Sequence, residues 1–142
     1  MTNEAGLEFE KLTEKINTSN TKKSDGFWYM ASPYSKYPYG LEFAHAHACN
    51  AAGRLLAAGH HVYSPIAHTH SLALMGGLNP YDHGIFLPLD EKIMKHADGM
   101  IIIMMEGWKS SIGIQNEIEH FRRARKPIFY LNWPELRAIE IE

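Results

Sequence analysis

Two kinds of apolar patterning alternate along this chain. Short solid runs are separated by longer stretches in which apolar residues return every three or four positions. Phe27-Trp28-Tyr29-Met30-Ala31 is a solid run, apolar and aromatic as a central strand is. Ser32-Pro33-Tyr34-Ser35 stops it, because proline neither donates to a ladder nor continues a helix, and Lys36 to Gly40 makes a loop. From Leu41 to Ala58, Phe43, Ala44, Ala48, Ala51, Leu55 and Leu56 return at helical spacing, and Gly59 ends the helix. His61-Val62-Tyr63 gives a second strand, closed by Ser64-Pro65, and Ile66 to Pro80 reads as a long loop with a flexible point at Met75-Gly76-Gly77. Helical spacing resumes from Tyr81 to Ala97, with Pro88 as a break or first-turn residue. The third strand is Met100 to Met105, followed by an amphipathic helix over Ser111 to Arg125 and a fourth strand over Pro127 to Leu131. Pro134 starts a short closing helix over Trp133 to Ile139.

Ahead of the first strand, Leu7, Phe9, Leu12 and Ile16 lie among charges, which predicts a weak amphipathic helix from Glu4 to Ile16, and Thr18 to Asp25 is a polar linker. The chain therefore divides into an appendage, residues 1–25, and one domain, residues 26–142. Strands alternating with helices predict right-handed crossovers and a parallel sheet of four to five strands. Ligands of such sheets bind beyond the carboxyl ends of the strands. The tips there are Ser32-Pro33-Tyr34, Ser64-Pro65 and Glu106 to Ser111, which should converge on one pocket.

Composition narrows the partners. The 142 residues carry a formal net charge of -2 without a basic block, which argues against a nucleic acid polymer or an anionic membrane surface. The single cysteine, Cys49, excludes an internal disulfide and suits a reducing compartment. No apolar run approaches the ~20 residues that cross a bilayer. The early residues Glu4, Glu8 and Glu10 lack an apolar signal region, so a cytoplasmic location is expected.

The stretch from Gly107 to Glu117 holds the most chemistry. Ser111 and Gly113 fall where a strand gives way to a helix, and unpaired N–H groups meet the positive end of the helix dipole there, an anion-ready arrangement. Glu117 follows about one and a half turns in. On residues alone the stretch reads equally well as a capping serine followed by a solvated carboxylate. Asp90, near the start of the preceding helix, is either a helix-end charge or a carboxylate facing Glu117 across the pocket. Two carboxylates in one cleft are the equipment for cleaving a glycosidic bond. Nine histidines are many for this length. His45 and His47 face apart on a helix, whereas His68 and His70, in the expected loop, can approach a metal or a phosphate. No zinc-binding H-E-x-x-H, dinucleotide-binding G-x-G-x-x-G or nucleophile elbow G-x-S-x-G is present, so no metal and no cofactor are expected. Tyr29, Tyr34 and Trp108 are placed either to stack on a base or to pack at strand ends.

Tyr29-Met30-Ala31-Ser32-Pro33-Tyr34, then Asp90 and Ala97-Asp98, then Ser111-x-Gly113-x-x-x-Glu117 resemble the nucleoside 2-deoxyribosyltransferase superfamily. The Ser-x-Gly-x-x-x-Glu form is similar to its 2'-deoxynucleoside 5'-phosphate N-hydrolase branch, and the Gly107-Trp108 and histidine-bearing segments to a bacterial and phage group within it. The resemblance covers about residues 27 to 131. It implies a flavodoxin-like, Rossmann-like three-layer sandwich and a retaining mechanism through a glycosyl-enzyme. Glu117 would then be the nucleophile and Asp90 would position the sugar and assist protonation of the base. Ser111 and Gly113 would meet the 5'-phosphate or 5'-hydroxyl, and Ser32, with Pro33 and Tyr34 after it, would line the sugar and base pocket. Asp98 and His68 complete the expected site. The chain departs from the family in lacking an evident arginine-bearing phosphate loop. Ser110 also stands where the transferases often carry aspartate, which favours water as acceptor. The expected function is hydrolysis of the N-glycosidic bond of a nucleotide or nucleoside. Base exchange and a non-catalytic nucleotide-sensing module are the alternatives. A homodimer or higher oligomer is expected, with Tyr37, Tyr39 and Trp133 as candidate surface aromatics.

Overall fold

The computed structural model describes residues 25–141, so the expected helix from Glu4 to Ile16 and most of the linker lie outside the described residues. Trp28–Ala31 forms β1, Leu41–Ala57 α1, Val62–Tyr63 β2, Pro65–Gly76 α2, His83–His96 α3 and Gly99–Met104 β3. A 3-10 turn, Trp108–Ser110, leads to α4 at Ile112–Arg123, and β4 at Ile128–Asn132 and β5 at Ala138–Ile139 close the chain. The sheet has five strands in the order β2-β1-β3-β4-β5. The first four are parallel, and β5 runs antiparallel to β4 at the edge. This is a mixed, Rossmann-like α/β fold.

The solid apolar runs have a physical cause: β1 and the first five residues of β3 are buried, because both faces of the sheet are covered. Alternate residues divide between two cores. Trp28, Met30, Ile101 and Ile103 pack with Ala44, Ala48, Ala51 and Leu55 of α1. Tyr29, Ala31, Met100 and Ile102 pack on the other face with Met94 of α3 and with Ile114, Ile118 and Phe121 of α4. Each large side chain buried this way contributes roughly 1.5–3 kcal/mol. No helix among the described residues is long and apolar enough to cross a membrane.

Three expectations need correction. The span from Ile66 to Gly76 is helical: the hydroxyl of Ser64 accepts the Ala67 N–H at 3.2 Å, Pro65 occupies the first turn, and Gly77 ends the helix at φ 74°. Ser64-Pro65 is thus a helix start as well as a strand stop. No clean stripe announces the helix, because Leu72, Leu74 and Met75 are exposed. The expected helix from Trp133 to Ile139 is instead a tight connection into β5. Leu136, at φ 59°, donates to the Asn132 carbonyl at 2.9 Å, and Arg137 N–H donates to Asn132 Oδ1 at 2.6 Å. Arg54 of α1 holds the connection through the Pro134 carbonyl at 2.7 Å. Finally, of the aromatics expected at an oligomer surface only Tyr39 is exposed. Tyr37 is buried with its hydroxyl 3.0 Å from His47 Nδ1, and Trp133 packs partly buried on the α1 core.

Candidate functional site

The sheet grows outward in opposite directions from β1 and β3, so the loops leaving their carboxyl ends part and open a crevice. A cavity of about 300 Å³ lies there. Its polar lining includes Ser32, just past β1, and Asp90 and Glu117, from α3 and α4. Pro65, Ile66, Pro80, Phe86, Leu87 and Ile112 supply an apolar wall.

Each side chain is delivered by a local cause. Ser111 caps α4, its hydroxyl accepting the Ile114 N–H at 3.3 Å. The link from β3 is longer than a single turn: Gly107 at φ 88° starts the 3-10 turn, and Gln115 Nε2 donates back to the Lys109 carbonyl at 3.0 Å. Gly113, Asn116 and Glu117 then follow at helical spacing and all line the cavity. On α3, His83, Phe86, Leu87 and Asp90 do the same, and the Asp82 carboxylate starts that helix by accepting the Gly84 N–H at 3.0 Å. Pro88 lies inside α3 without ending it.

The carboxyl pair is strongly perturbed. Burial pushes Asp90 from its ordinary 3.8 up to about 6. Glu117 rises from 4.5 to about 8, chiefly by burial and further by the Asp90 charge, while the Tyr29 hydroxyl beside it pulls the other way. Tyr29 itself is pushed well above the ordinary phenol range by burial and by the two carboxyls. Its hydroxyl is close enough to favour the charged form of Glu117, yet outside strict hydrogen-bond geometry. Buried polar atoms are normally paired. Here the Tyr29 hydroxyl, Ser32 Oγ and Asp90 Oδ1 are all buried without a protein partner. A ligand hydroxyl in the cavity would satisfy Ser32 Oγ and Asp90 Oδ1, whose residues line it.

Of the residues singled out in the sequence, Ser32, Tyr34, Asp90, Ser111, Gly113 and Glu117 line the cavity, with Tyr29 behind Glu117. Pro33, His68, Asp98 and Trp108 do not line it. Pro33 is buried at the end of β1. His68 lies on the exposed side of α2, where its Nδ1 is 3.1 Å from the Tyr63 hydroxyl. Asp98 precedes β3 at the amino end of the sheet, its N–H on the Phe27 carbonyl at 2.9 Å. Trp108 packs against Tyr130, ring centroids 5.7 Å apart. The sequence reading missed Thr69 and Ile66 because it took α2 for a loop. It missed His83, Phe86 and Asn116 although helical spacing from Asp90 and Glu117 points to them. Among the described residues no three His, Cys, Asp or Glu side chains are grouped to hold a metal.

A family model described as "Domain of unknown function (DUF1937)" matches residues 26–133, a span that includes every residue lining the cavity. No curated protein matches the chain.

Proposed function

We propose that this chain, which belongs to the DUF1937 family, cleaves the N-glycosidic bond of a nucleoside or nucleotide, with water as the acceptor. The observation that carries this reading is the pairing of Glu117 and Asp90 in one crevice, with the Tyr29 hydroxyl beside Glu117 and the unpartnered Ser32 Oγ in the same lining. The strand order of β2 to β4 is that of flavodoxin-like sheets. With helices packed against both faces, it supports the three-layer arrangement that the nucleoside 2-deoxyribosyltransferase resemblance implies.

The chemistry follows from one proton shared by two carboxyls. In the free protein at neutral pH it rests on Glu117, and Asp90 is charged. Attack uses the reverse arrangement, which the Tyr29 hydroxyl favours by stabilising charge on Glu117. Glu117 then forms a bond to the anomeric carbon as the carbon–nitrogen bond breaks. The electron pair leaves with the base, which takes its proton from Asp90. In the second half, Asp90 removes a proton from water as the water oxygen attacks the same carbon and releases Glu117. The apolar wall of Ile66, Pro80, Phe86 and Leu87 suits a planar base.

The test is to incubate the purified chain with ribo- and deoxyribonucleosides and their 5'-monophosphates and to follow free base by chromatography. Base release that disappears in Glu117→Ala is the expected outcome. Equal release by both proteins would remove Glu117 as nucleophile. A new nucleoside formed only when free base is added would make the protein a transferase instead.

A further inference from the structure

Tyr34 lines the cavity from the loop after β1, but its hydroxyl is already engaged. It lies 2.6 Å from Nδ1 of His70, on the buried side of α2. The other ring nitrogen, Nε2, is buried without a hydrogen-bond partner and faces Oε1 of Glu42, in the first turn of α1, at 3.5 Å. That distance is an ion-pair approach rather than a formed hydrogen bond. His45, also on α1, stacks on His70 with ring centroids 4.4 Å apart and 24° between planes, which holds the imidazole in place. A carboxylate facing Nε2 favours the proton there and leaves Nδ1 as an acceptor. Tyr34 must then donate to Nδ1, so its oxygen offers only lone pairs to the cavity.

We infer that Glu42, His70 and Tyr34 form a relay that fixes the Tyr34 oxygen as an acceptor at the base end of the cavity, so that Tyr34 selects bases carrying an amino group. This rests on reading the cavity as a nucleoside site. Two observations place Tyr34 at the base end. The two carboxyls come from α3 and α4, whereas the Tyr34 hydroxyl is tied through His70 to α2. The helix to which Tyr34 is tied also contributes Pro65 and Ile66 to the apolar wall. His70 is a positioning residue, acting on the ligand only through Tyr34.

The test pairs nitrogen-15 NMR of the histidine side chains with calorimetry on the full chain, using 2'-deoxyadenosine and purine 2'-deoxyriboside, which differ only in the exocyclic amine. The neutral His70 ring should carry its proton on Nε2, and its Nδ1 signal should move in Tyr34→Phe. The amine should tighten binding about fivefold, the factor one net hydrogen bond supplies. That preference should vanish in Tyr34→Phe and His70→Leu. It should survive in His70→Asn, whose amide oxygen can stand in for Nδ1. A neutral His70 protonated on Nδ1 overturns the relay. So does a preference that persists in Tyr34→Phe, or equal binding of both ligands by the wild type. If neither ligand binds, the selectivity falls together with the nucleoside reading. If selective binding holds while no base is released, only the hydrolase reading fails.

Discussion

A carboxyl group buried beside a second one is most stable with its proton, and that places Glu117 between the needs of folding and those of the proposed chemistry. Its folded pKa of about 8 lies above the ordinary 4.5, so the folded state holds the proton more tightly than the unfolded chain. The stability this supplies is fully present below the ordinary value and is lost as pH rises through about 8. Glu117→Gln keeps the shape and removes the titration. Thermal melts should show it more stable than wild type at pH 8, by on the order of a few kcal/mol, with the gap closing by about pH 4. Loss of base release in the same variant would mark stability given up for function. A pH-independent gap would mean that Glu117 titrates normally. In the proposed mechanism the two carboxyls act in opposite states, so kcat/KM should rise through about 6 and fall through about 8, values that belong to the pair. Asp90→Asn should cut kcat/KM by about a hundredfold or more, leaving a single limb displaced below 8, since the Asp90 charge helps raise Glu117. Two unmoved limbs would exclude Asp90 from the pair. Glu117, Asp90, Ser111 and Gly113 line the cavity; helical spacing and a cap left two readings of them open in the sequence, and the family resemblance supplied the one that faces a pocket. Asp98 and His68 were misplaced because direction depends on which end of β3, and which side of α2, a residue occupies.

Among elements, α2 shows how one dipeptide carries two meanings. Ser64-Pro65 ends β2 and begins α2, and only the helix it begins brings Thr69 to the cavity and His70 to Tyr34. Periodicity could not reveal this, since Leu72, Leu74 and Met75 lie exposed and blur any stripe. The strands and the helices α1, α3 and α4 were legible because their patterns are strong. The β5 hairpin was not, because a left-handed Leu136 and an asparagine side chain define it rather than hydrophobic spacing. Ser64→Ala removes the cap that starts α2 and should cost about 1 kcal/mol in urea unfolding. It should also raise KM more than it lowers kcat, because α2 forms a wall of the cavity and carries neither carboxyl. A kcat effect equal to that of Asp90→Asn would mean that α2 takes part in the chemistry.

On the scale of the molecule, the sheet places its tightest packing at one end and its buried carboxyls at the other. Gly99 opens β3 at the amino end, where an added Cβ would stand 2.6 Å from the Pro127 carbonyl oxygen and collide with the Trp28 ring. The carboxyl pair comes from α3 and α4 and reaches the sheet through Tyr29, whereas Gly99 pairs with Trp28 and packs on Pro127. Gly99→Ala should therefore cost about 1–3 kcal/mol by overpacking. It should leave both limbs of the pH profile in place, because the Trp28 ring and the Pro127 carbonyl that meet the added methyl belong to the opposite core and strand end from the carboxyls. The two ends share no partner, so their effects should add. Glu117→Gln combined with Gly99→Ala should then unfold near the wild-type midpoint at pH 8 and below it at pH 4, where the stabilising half has vanished. A sum off by more than about 0.5 kcal/mol would mean that β3 transmits strain along its length. The cavity would then depend on the whole sheet rather than on the loops at its carboxyl end.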